Sequence, residues 1–80
     1  MNFRKITHKE RLCIEEALAE FGKLDLQGGS REEKDGKIIY HLGFYHAHLN
    51  SSSGEIKKVG RILKDYLGAD EIWIDGSRIA

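Results

Sequence analysis

The chain has a single cysteine, Cys13, among its 80 residues. No intrachain disulfide can form and no multi-cysteine zinc pattern is available, and this usage suits a reducing cytoplasm. Net charge is also lacking, because 13 basic residues balance 13 acidic ones. No overall field then draws the domain onto phosphate or an anionic membrane, and nucleic-acid binding would need a local basic patch. Long apolar runs are missing as well. Charged side chains stand near the amino terminus where a signal peptide would carry its apolar region, so neither export nor membrane insertion is expected. Gly28-Gly29 lacks the lysine and the strand-to-helix setting of a phosphate loop. Residues 1–80 are read as one small domain with a thin core, of the kind that a structural metal or a partner subunit often supports.

What is present is a clear succession of elements. Met1 to Ile6 is ambiguous, with Phe3 and Ile6 as its inner apolar residues. Thr7 and Glu10 have the spacing of a capping box, and Ile14, Ala17, Leu18 and Phe21 then recur on one face of a helix, with Cys13 at the edge of that stripe. Glycine at Gly22 closes it. Lys23 to Gln27 alternates as a strand until Gly28-Gly29 interrupts it. The charged segment Ser30 to Gly36 reads as a solvated hairpin tip with Asp35-Gly36 at its turn. Lys37 to Leu49 is the longest strand. Ser52 and Glu55 repeat the capping-box spacing before a second helix, Gly54 to Leu67, whose apolar face is Ile56, Val59, Gly60 and Leu63, widened by Ile62, Tyr66 and Leu67. Gly60 implies a close approach to the sheet, and Gly68 ends the helix. Glu71 to Asp75 is a final strand with Ile72 and Ile74 on one face and Trp73 on the other. Gly76 to Ala80 is a tail or an extension of that strand.

The order (β)αββαβ predicts an α+β two-layer sandwich of ferredoxin-like layout, with two helices on one face of an antiparallel sheet. Lys37 to Leu49 is apolar on both faces. Ile39, Ala47 and Leu49 are compact enough for the helix side, which would leave Tyr40, Phe44, His46 and His48 exposed. Together with Trp73 these form the expected binding surface. His46 and His48 project side by side, but two imidazoles leave a tetrahedral ion two ligands short, so no metal, cofactor or catalytic site is assigned.

His46-Ala47-His48 resembles the histidine-pair strand motif of single-strand nicking endonucleases, in which a divalent metal sits on the pair and a tyrosine on a later helix attacks the phosphate. That resemblance implies Tyr66 as the nucleophile. A second resemblance, to the RNA-recognition motif, is carried by Ala19 to Leu24, Gly43-Phe44-Tyr45 and Ile74 to Ile79. It implies base stacking on Phe44, with His46 where a second aromatic is expected and without an aromatic motif in the first strand.

Weighed together, these features favour a small non-enzymatic module, an inhibitor or accessory factor, that docks on a protein partner or on its own copy through the sheet face or edge. Single-stranded nucleic-acid binding is the alternative, and a nicking nuclease the third reading. No membrane partner is expected.

Overall fold

A computed structural model describes residues 2–19, 25–45 and 54–80. Its elements are β1 (Asn2–Lys5), α1 (His8–Ala17), β2 (Asp25–Lys34), β3 (Lys37–Tyr45), α2 (Gly54–Leu67), β4 (Glu71–Ile74) and β5 (Ser77–Arg78). The expected α+β class and the two helices are present, and so is the first strand that the sequence left ambiguous.

The capping box forms. Thr7 Oγ1 accepts from the Glu10 amide at 3.1 Å while the Glu10 carboxylate accepts from the Thr7 amide at 2.7 Å. Helix α1 ends at Ala17 with Leu18 as its cap, short of the expected Phe21. Phe21, Gly22 and Leu24 lie outside the described residues, as does the Ser52 cap of the second helix. Gly68 closes α2 as expected, at φ +62°, and the Ala69 amide donates to the Lys64 carbonyl at 3.0 Å, which is the six-to-one bond of a Schellman motif.

The charged run is not a loop. Ser30 to Lys34 continues β2, and only Asp35-Gly36 turns, with φ of 53° and 77°. The charges are tolerated in a strand because they find partners: Arg31 meets Glu33 at 2.8 Å and Glu32 meets His41 at 3.0 Å. The irregularity in β2 lies between Leu26 and Gly28, where one extra residue, Gln27, bulges against β3. A second hairpin joins β4 to β5. Asp75-Gly76, with φ of 50° and 84°, repeats the two-residue turn that positive φ at both central positions favours.

All five strands form one sheet in chain order, β1-β2-β3-β4-β5. It is mixed rather than wholly antiparallel, because β3 and β4 run parallel around the α2 crossover. Neither helical connection skips a strand, so the interleaved pairing of the split βαβ layout is replaced by neighbour-to-neighbour pairing. The two helices pack on each other and share one core with the sheet.

The burial of β3 corrects the expected face assignment. Tyr40, Leu42 and Phe44 face the helices, with Tyr40 and Phe44 only 4% and 6% exposed. They join Ile72 and Ile74 of β4 and Ile14, Leu18, Val59 and Leu63 of the helices. Tyr40, Leu42 and Phe44 together carry more apolar area than Ile39 and His41 on the other face, so turning them inward removes more surface from water, and Ile39 is itself covered to 8% exposure on its own side. The stacking role implied for Phe44 does not hold on an open face. Among the other residues assigned to that strand, His46, Ala47, His48 and Leu49 lie outside the described residues. Tyr66 stands clear of the α2 stripe that it was expected to widen, at 54% exposed.

Gly60 has the close contact that its place in a helix implied, although the neighbour is the segment after β5. A Cβ there would lie 2.6 Å from Ile79 Cγ2. Ile79 and Ala80 are held in place by backbone hydrogen bonds to Ile72, including Ile79 N to Ile72 O at 2.8 Å.

Candidate interaction surface

With both helices on one side, strand alternation fixes what the other side presents. Direct cross-strand partners place Lys5, Ser30, His41, Trp73 and Arg78 in one row across all five strands. The next row on the same face is Phe3, Glu32, Ile39 and Glu71. Lys34 and Lys37 pair beyond it, next to the Asp35-Gly36 turn.

Three rings form a continuous band over these rows. The Phe3 and His41 centroids are 6.1 Å apart and those of His41 and Trp73 5.7 Å, with the planes tilted by 42° and 39°. Phe3 is 63% exposed, the most open of the large apolar side chains described on the sheet. Tilted contacts of this kind suit the ring quadrupoles and stiffen the band.

Carboxylates hold the rings in position. Glu32 Oε1 lies 3.0 Å from His41 Nε2, and the Trp73 indole donates to Glu71 Oε1 at 2.9 Å. That indole hydrogen bond, followed by the nearby Arg78 and Lys37 charges, outweighs burial and lowers the Glu71 carboxyl below its usual value. A shallow depression of about 330 Å³ lies between these groups, floored by Ile39 and walled by Lys37, His41 and Trp73.

The band thus combines exposed rings with two carboxylates, Glu32 and Glu71, set among them, and carries Lys5, Lys37 and Arg78 at its margins. It can cover a partner's apolar side chains and meet charged ones at its rim. Among the described residues no three His, Cys, Asp or Glu side chains converge on a point that could hold a metal ion. Cys13 lies between the helices, its Sγ 3.9 Å from the Tyr66 carbonyl. Among the described residues no helix is long and apolar enough to cross a membrane.

Of the five side chains expected on the binding surface, Trp73 is on the open face and half-buried, Tyr40 and Phe44 are in the core, and His46 and His48 fall outside the described residues. Sequence reasoning missed Phe3 and His41. Both follow once β1 is accepted as a strand and the even residues of β3 are turned inward. No family model, no curated protein and no solved structure matches the chain.

Proposed function

We propose that this domain is a non-enzymatic docking module that binds a protein partner through the open face of its sheet. The observation that carries the reading is the Phe3, His41 and Trp73 band, which lies on the face opposite both helices. Exposed aromatic side chains packed into one patch are the kind of anchors that protein-binding hot spots use. Glu32 and Glu71 among the rings suit a partner bearing both signs of charge, whereas a phosphate chain laid across them would meet two carboxylates. The lone cysteine suits a cytoplasmic setting.

The test is capture from extract of the native cells by the immobilised protein, beside Phe3→Ala, Trp73→Ala and, as a control on α1, Leu12→Ala. Loss of an anchor residue should weaken the partner by roughly 2 kcal/mol, about thirtyfold, at the two sheet positions only. Equal retention by all four proteins would remove the open face from the account.

One observation favours single-stranded nucleic acid as a second reading. The row Lys5, Ser30, His41, Trp73 and Arg78 puts cations at both ends of an aromatic centre. Filter binding of mixed single-stranded DNA and RNA decides it, and the docking reading predicts no retention at physiological salt.

A further inference from the structure

A second depression, of about 550 Å³, opens where the chain passes from β1 into α1 opposite the bulge of β2. Lys5, His8, Arg11 and Ser30 line it, and among the described residues no carboxylate does. This sets it apart from the rest of the sheet, where arginines are matched by acids. Arg4 meets Glu10 at 2.7 Å, Arg31 meets Glu33 at 2.8 Å and Arg78 approaches Glu71 at 3.8 Å. Arg11 instead donates to two carbonyls of the bulge, Leu26 O at 2.9 Å and Gln27 O at 3.3 Å. Those bonds immobilise the guanidinium and leave its charge unneutralised by them. The neighbouring Glu10 carboxylate is committed elsewhere, to Arg4, Tyr40 and the Thr7 amide.

Lys5 and Ser30 belong to this depression and also to the row that carries His41 and Trp73. The cationic pocket and the aromatic band therefore adjoin at Lys5 and Ser30. We propose that the protein partner presents an acidic segment, its carboxylates against Lys5, His8 and Arg11, with adjoining apolar residues on the Phe3, His41 and Trp73 band. This rests on the protein-docking reading and specifies the chemistry of the partner. A fixed cation costs little ordering entropy on binding, and a cluster of one sign selects for the opposite one. A peptide can change from acidic to apolar or basic residues before it reaches Glu32 and Glu71. A phosphate chain cannot.

The probe is a fluorescein-labelled peptide of four glutamates followed by Leu-Phe-Leu-Lys, compared by anisotropy with the same peptide carrying lysines for glutamates and with a single-stranded DNA octamer. The acidic peptide should bind the wild type, and the lysine peptide should not. Lys5→Glu and His8→Glu should each weaken the acidic peptide roughly three- to tenfold, while Lys58→Glu, a charge reversal on the exposed side of α2, should leave it within about twofold. Tighter binding of the DNA, equal loss with Lys58→Glu, or no binding of the acidic peptide would each overturn the proposal. If the acidic peptide fails while capture of the native partner still depends on Phe3 and Trp73, the acidic segment alone is wrong. If that capture is also independent of Phe3 and Trp73, the docking face falls with it.

Discussion

The Tyr40 hydroxyl donates to the Glu10 carboxylate at 2.5 Å, tying the central strand to the first turn of α1 across thirty residues of sequence. The same carboxylate receives Arg4 and the Thr7 amide, so a single acidic side chain caps the helix, pairs with β1 and satisfies the phenol of a buried tyrosine. Burial alone would raise the Glu10 pKa, but these hydrogen bonds outweigh it and bring the carboxyl down to about 2. Burial, then the Glu10 bond, pushes the Tyr40 phenol up to about 12.

The folded pKa of Glu10 lies below the ordinary 4.5, so its contribution to stability is complete above pH 4.5 and is lost as pH falls through about 2. Tyr40→Phe should cost about 1.5 to 3 kcal/mol at neutral pH, the range for a hydrogen bond to a charged group. Glu10→Gln should flatten the acid limb of the stability profile. Urea melts between pH 7 and pH 2 check both, and an acid limb unchanged by Glu10→Gln would contradict the assignment.

Glycine replacements should separate two kinds of site. A Cβ at Gly29 would meet the His41 carbonyl at 2.8 Å, and one at Gly60 would meet Ile79 Cγ2 at 2.6 Å, whereas nothing lies within 4 Å at Gly28. Gly29→Ala and Gly60→Ala should each destabilise by about 1 to 3 kcal/mol, even though alanine is the better helix former at position 60 by about 1 kcal/mol. Gly28→Ala should stay within about 0.5 kcal/mol. Denaturant midpoints of the three variants give the comparison.

In the core, Leu18, Leu63 and Ile74 are 3%, 0% and 2% exposed. Each to Ala should cost about 2 to 5 kcal/mol, a large part of what a domain of this size possesses. Losses below about 0.5 kcal/mol at all three, read from the same melts, would mean that this cluster is not the core.

The helices were legible where their signals are local: Thr7 with Glu10 at the start of α1, Gly68 at the end of α2, and an apolar stripe along each. Asp35-Gly36 marked its turn for the same reason. Asp75-Gly76 carries the identical dipeptide, but only four residues follow it, too few for alternation to mark a strand. Strand pairing was not legible. Neither the parallel contact of β3 with β4 nor the neighbour order of the sheet leaves a periodic trace in the residues that make it. The inner face of β3 was misassigned because both faces are apolar, and what decided between them was tertiary: Tyr40 and Leu42 lie in register with Ile72 and Ile74, and Glu10 supplies the acceptor that makes a buried tyrosine tolerable. With that face reversed, the candidate surface among the described residues moves from Tyr40 and Phe44 to Phe3 and His41, while Trp73 stays on the open face.

Site-specific photo-crosslinking tests the proposed docking of a partner on the open sheet face. Benzoylphenylalanine replaces an exposed aromatic at Phe3 on that face or at Tyr66 on α2. After irradiation in native-cell extract, the account predicts a discrete protein adduct from position 3 that competes with unlabelled wild type and is absent from position 66. An adduct from position 66 alone would contradict it.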